Sequence, residues 1–138
     1  MRKMFLLLYV VKYDNIEMKE LTMPATRTRP IRWITVALKD FEKFPEGART
    51  ICLTALTIAA EGSKADLAKP LKGLGSGVME IALPYRGNAF RVVYALQIGE
   101  DVWVIHAFQK KSTQGIKTPK HEIDLVMERI KRLKEMLR

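Results

Sequence analysis

The sequence predicts a small α+β domain in which N-terminal helices pack on a three- to four-stranded antiparallel sheet and a C-terminal helix closes the chain. Three observations carry that expectation. Apolar residues recur at helical spacing over 45–61 and again over 119–137. Between those stretches run three apolar segments separated by turn signals. Helices, then a run of strands, then a helix, without regular βα alternation, is the order of an α+β fold and not of a parallel α/β one. The chain has 138 residues, 48% apolar and 28% charged, which suits one globular domain with a real core and excludes disorder of the whole chain.

The elements follow in order. The start, "MRKMFLLLYVVKYD", joins basic to apolar residues, but the run Phe5 to Val11 is far shorter than the roughly 20 residues of a membrane span. No small-residue cleavage site follows it. Residues 1–29 are therefore read as an extension, either one extra strand or the product of an upstream start, and 30–138 as the domain. "IRWI" is a short strand, and "TVALKDFEKF" a short helix that stops before Pro45, since proline cannot continue one. Pro45 and Glu46 suit a first helical turn, and Ala48, Ile51, Cys52, Ala55, Leu56 and Ala59 form a core stripe up to Gly62. "SKADLAKPLKGLGSG" (63–77) gathers glycine, proline and lysine and reads as a connecting loop.

"VMEIALPY" places Met79, Ile81, Leu83 and Tyr85 on one face, and "AFRVVYAL" places Phe90, Val92, Tyr94 and Leu96 on one face. "RGN" between them is a tight-turn signal, so the pair reads as an antiparallel hairpin. After a second turn at Gly99 to Asp101, "VWVIHAFQ" is apolar on both faces, as a central or doubly covered strand would be. Thr118 offers a cap and Pro119 a first helical position. The apolar stripe of the last helix is Ile123, Val126, Met127, Ile130, Leu133 and Leu137, with Lys120, Arg129, Lys131, Arg132, Lys134 and Arg138 on a solvated face.

Composition also bounds the chemistry. Twenty-four Lys and Arg against 15 Asp and Glu give a net charge of +9, which favours a polyanionic partner: nucleic acid or an acidic protein. The single cysteine, Cys52, excludes a disulfide framework and points to a reducing cytoplasm. There is no Ser-His-Asp context, no metal-spaced cluster and no phosphate-cradling glycine loop, because "GLGSG" precedes a strand. No metal and no cofactor is expected, and no membrane.

The available tools are cations. Arg91 points away from the apolar face of its strand, shares its side with Ala89, Ala95 and Gln97, and looks across at Glu80 and Ala82, so the expectation is an open, partly polar surface. Lys110 and Lys111 close the following strand, where the alternative is an edge-protecting charge. Cations suffice to cleave RNA when the attacking group is the substrate's own 2′-hydroxyl, since the protein then orients it, moves protons and stabilises charge on phosphorus. Arginine is the better phosphate anchor, and lysine a point charge or a base. His106, flanked by Ile105 and Ala107, is either a satisfied core histidine or an acid–base group. Lys72 in a loop and Arg86 in a turn suit peripheral phosphate contacts. Tyr85 and Tyr94 alternate with core residues, and the reading of a base-stacking aromatic stands beside that of packing.

"IRWITVALKDFEKFPEGAR", "KPLKGLGSGVMEI", "AFRVVYAL" and "VWVIHAFQKKSTQGIKTPKHEID" together resemble the consecutive blocks of phage-derived HigB-like toxins of the RelE/ParE superfamily. The resemblance runs from about Pro30 to the end, with "HAFQKK" followed by "TPKHEI" its most specific part. It implies a RelE-like fold and the toxin of a toxin–antitoxin pair, a ribosome-dependent, metal-independent endoribonuclease that cuts mRNA and inhibits translation. Its partners would be a helix-turn-helix antitoxin, mRNA and the ribosome. In "FRVVY", Arg91 matches the strand arginine that holds the scissile phosphate, and Lys110 and Lys111 match the basic pair closing the last strand. The sequence departs from RelE at Glu80 and Ala82, where RelE carries lysines, so the base is one of His106, Lys110, Lys111 or Glu80. The alternatives are a ParE-like inhibitor that is not a nuclease, and an RNA- or protein-binding module of the same fold.

Overall fold

A computed structural model of the chain describes residues 28–110 and 117–138. The expectation for an N-terminal extension therefore lies almost wholly outside the described residues, and so does Lys111. Five strands form one sheet in the order β1-β5-β4-β3-β2, with β1 at Ile31–Trp33, β2 at Ala68–Pro70, β3 at Val78–Tyr85, β4 at Asn88–Ile98 and β5 at Asp101–Lys110. The helices are α1 (Thr35–Phe41), α2 (Glu46–Ala60) and α3 (Lys120–Met136). β3 to β5 are the expected antiparallel strands, β2 pairs antiparallel with β3, and β1 adds a parallel edge to β5 through Ile31↔Val102 and Trp33↔Val104.

The sheet is covered on both faces. Phe41, Ala48, Cys52, Leu56 and Ala59 of α1 and α2 pack on Ile81, Leu83, Phe90, Val92, Tyr94 and Val104. Tilted ring contacts run from Trp33 to Phe41, Phe44 and Phe90 with centroids 4.8–5.3 Å apart, tying β1, α1 and the following turn to β4. Cys52 is fully buried and its thiol is pushed up to about 12 by that burial, which leaves it an inert core residue. On the other face Val126, Ile130 and Leu133 of α3 meet Val78, Val93, Ala95, Ile98 and Ile105. Burying each such aliphatic side chain contributes about 1.5–3 kcal/mol, whereas a hydrogen bond nets about 0.5–1.5. Packing therefore seats α3, and its polar contacts orient what they touch.

Several sequence readings shift. The 63–77 connection contains β2, a three-residue edge strand in which Pro70 is tolerated because an edge position leaves one side of the backbone unpaired. Arg86 and Gly87 both have positive φ (51° and 82°), the backbone a two-residue hairpin turn requires. Arg29, read as part of the extension, is fastened to the β4–β5 turn, donating to the carbonyls of Glu100 at 2.8 Å and Asp101 at 3.2 Å. On α3 the buried stripe is narrower than expected: Met127 is 50% and Leu137 52% exposed.

Candidate active site

β5 carries a bulge. Val93 pairs with His106 and Tyr94 with Val104, so Ile105 is an extra residue and the alternation of the strand reverses there. Without it His106 and Lys110 would share the side of Val102 and Val104, against α1 and α2. With it they turn to the α3 side.

That shift assembles a group. Cross-strand partners share a face, so Glu80–Val93–His106, Ala82–Arg91–Phe108 and Pro84–Ala89–Lys110 are three adjacent rows on the α3 side of the sheet. Glu80, Arg91, His106 and Lys110 are 1%, 5%, 4% and 8% exposed, and besides the core Cys52 and Tyr94 they are the buried ionisable residues among those described. The sequence reading placed Glu80, Ala82 and Arg91 together correctly. It was wrong that their face is open, because α3 and Thr118, just before it, lie over that side.

Arg91 NH1 pairs with Glu80 Oε1 at 3.2 Å and donates to Thr118 Oγ1 at 3.3 Å, while the Thr118 hydroxyl donates to Glu80 Oε2. Thr118 therefore does not cap α3. Pro119 holds the cap position without a side-chain bond, and the Thr118 hydroxyl oxygen, which as a cap would accept a backbone N–H, accepts from the Arg91 guanidinium instead. Removing either member of a buried ion pair strands a charge and costs about 3–5 kcal/mol.

His106 is satisfied at both nitrogens. Arg129 NH1 meets Nδ1 at 2.9 Å and Glu122 Oε1 meets Nε2 at 2.6 Å, with the ring stacked on Phe108 at 4.9 Å. Its pKa lies below the ordinary value, chiefly through burial; the Arg129 charge pushes the same way, and Glu122 and Asp40 oppose it. Arg129 also donates to the Ile105 carbonyl at 3.1 Å, and burial lowers its own pKa against the pull of Asp40 and Glu122. Arg129 is thus no member of the solvated face on which the sequence reading put it.

The peripheral candidates separate. Tyr85 belongs to the α2 side, opposite Arg91, where it packs edge-on to Phe90 at 6.3 Å and beneath the Arg86 guanidinium at 5.3 Å. Arg86 and Lys72 are exposed in turns. Tyr94 is fully buried, which raises its pKa, and with its hydroxyl unbonded among the described residues it belongs to the packing. Glu122, Arg129 and Thr118 were not picked as site residues from sequence, where Thr118 was read as a cap and Arg129 as part of a solvated face. Glu122, Val126 and Arg129 stand at i, i+4 and i+7, so two charged residues on the apolar side of α3 were the available signal. Among the described residues no three His, Cys, Asp or Glu side chains are grouped to hold a metal ion, and no helix is long and apolar enough to cross a membrane.

A family model described as phage derived protein Gp49-like (DUF891) matches residues 39–131. The chain belongs to this family. In this Gp49-like protein the matched stretch contains Glu80, Arg91, His106, Lys110, Glu122 and Arg129. Among solved structures the chain is similar to the free-state structure of an E. coli toxin RelE double arginine mutant, at TM-score 0.53 and 21% identity, over 76% of this chain and 97% of that one. That likeness shows the RelE-like fold. A search of curated proteins finds no match.

Proposed function

We propose that this Gp49-like protein is the toxin of a toxin–antitoxin pair of the HigB-like kind and cleaves mRNA on the ribosome. The observation that carries the reading is the burial of Glu80, Arg91, His106 and Lys110 on one side of the sheet, in adjacent rows. Burying ionisable groups opposes folding unless they are paired, and such clusters gather where chemistry is done. The fold shared with a protein described as a toxin supports the same reading.

In this reaction Arg91 binds the scissile phosphate through its fork and Lys110, with Lys111 beyond it, adds positive charge. Glu80, next to Arg91, takes the proton of the 2′-hydroxyl as that oxygen attacks phosphorus and the bond to the 5′-oxygen breaks. The leaving 5′-oxygen takes a proton from water, the products are a cyclic phosphate and a 5′-hydroxyl, and the step needs no metal. Lys72 and Arg86 are peripheral contacts to the RNA backbone. The partners are a helix-turn-helix antitoxin, mRNA and the ribosome, in the cytoplasm.

The burial of Arg91 between Glu80 and Thr118 favours one competing reading, in which the pair is structural and the fold inhibits a protein target as ParE-like toxins do. Primer extension on mRNA from cells expressing the chain alone separates the two. Arg91→Lys is the informative variant, because it keeps the charge beside Glu80 and loses the fork. New in-frame breaks that disappear in a folded Arg91→Lys protein are expected; arrested growth with intact mRNA would move the assignment to the protein-target reading.

A further inference from the structure

We infer that Arg129 is a positioning residue that locks His106 as a neutral Nε2–H donor to Glu122, so that His106 serves the RNA site as a fixed donor that holds this carboxylate and not as a titrating acid or base. The catalytic half of this inference rests on the nuclease reading above; the lock itself does not.

A guanidinium has donors and no acceptor. Arg129 NH1 approaches His106 Nδ1 at 2.9 Å, so Nδ1 presents its lone pair and the single ring proton lies on Nε2, aimed at Glu122 Oε1 2.6 Å away. The same NH1 group donates to the carbonyl of Ile105, the extra residue of the bulge, at 3.1 Å. One nitrogen thus fastens both the bulge that turns His106 to this side and the ring itself. A second proton on Nδ1 would set two donors facing each other, so charging the ring requires the Arg129 contact to break. The charged groups facing the ring are Glu122 and Arg129 from α3 and Asp40 from α1. The two carboxylates favour an imidazolium; burial and Arg129 oppose it and prevail.

A neutral ring with its proton on Nε2 cannot accept the 2′-hydroxyl proton at that nitrogen, and losing the proton would leave an imidazolate. Its one proton is held by Glu122 Oε1, so the ring keeps that carboxylate in place beside the buried rows. That removes His106 from the possible bases and leaves the role to Glu80 among the described candidates other than lysine.

The chain has two histidines, and His121 is exposed on the first turn of α3, so a histidine-labelled sample gives a simple spectrum. Long-range proton–nitrogen correlation on the full chain, from roughly pH 5 to pH 8 where an ordinary imidazole changes charge, reads both the tautomer and the protonation state. The expected result is an unprotonated Nδ1 and a protonated Nε2 throughout. Arg129→Met removes the donor and the charge while Glu122 and Asp40 remain, so imidazolium should appear within that range; Arg129→Lys keeps the charge and should keep the ring neutral. A proton found on Nδ1, or an imidazolium formed in the wild-type chain, overturns the inference even if Arg129→Met fails to fold. Unchanged His106 signals in a folded Arg129→Met protein overturn it as well. In cleavage assays Arg129→Met should gain a further acid limb that follows the His106 ring, which wild type and Arg129→Lys lack, and a wild-type profile that follows the His106 ring would sink its role as a fixed donor. A locked tautomer in a chain that cuts no RNA would keep the lock and remove the nuclease reading.

Discussion

His106 is 4% exposed, and because burial holds its pKa below the ordinary value, acid works against the native state there. The direction follows from proton counts. In the unfolded chain the ring titrates near 6.5, so between that value and the lower folded one the unfolded state binds more protons than the native state. Stability then rises with pH across the interval: it is present in full above about pH 6.5 and falls as the pH drops through the window towards the folded pKa. Urea unfolding at pH 7, 6 and 5 should show the wild-type midpoint falling, and His106→Gln, which has no ring to charge, should fall less steeply over the same steps. Parallel losses in the two proteins would mean that His106 is as easily protonated folded as unfolded. Much of this was legible residue by residue. Arg91, His106 and Lys110 stood out as charges in apolar strands, but nothing local marks which partner each one takes. Glu80 and Arg91 are 11 positions apart and their contact depends on hairpin register; Thr118 and Glu122 arrive from another element entirely.

Elements were more legible than their fine registration. Alternation in β3 and β4 and the helical stripes of α2 and α3 reflect burial directly, so they survive translation into structure. The bulge in β5 does not, since a strand apolar on both sides reads the same with or without an extra residue, and the face of His106 turned on that single position. Gly47 is a similar silent feature, lying in the first turn of α2. A Cβ there would land on the hydroxyl and ring of Tyr85, which is itself held by Phe90 and covered by Arg86. Alanine gains about 0.5–1 kcal/mol in helix propensity over glycine, but overpacking against a held ring costs about 1–3, so Gly47→Ala should be destabilising on balance. Thermal unfolding decides it: a lower midpoint is expected. An equal or higher one would show that Tyr85 swings away freely, which would revive it as an aromatic able to stack on a base.

At the scale of the whole molecule the net charge of +9 acts at long range through exposed side chains, and the buried cations, held by the protein's own groups, are reached only once a polyanion is seated. Exposed Lys69, Lys72, Arg86, Lys131, Arg132 and Lys134 are what an approaching polyanion meets first. Binding of a single-stranded RNA releases counterions, and the logarithm of the binding constant falls against that of salt concentration with a slope of about −0.7 per phosphate neutralised. If Arg91, Lys110, Lys72 and Arg86 each meet one phosphate, a non-cleavable oligonucleotide should give a slope between about −2 and −3. Lys72→Ala and Arg86→Ala change exposed side chains and leave the buried rows intact, so each should flatten the slope by about 0.7 while the fold is unaffected. Filter binding or fluorescence anisotropy over a salt series measures this directly. A slope near zero would show that the positive charge is not spent on RNA backbone, leaving an acidic protein as the partner it serves. A steep slope indifferent to both substitutions would place the RNA on the basic face of α3 instead of across the loop and hairpin turn.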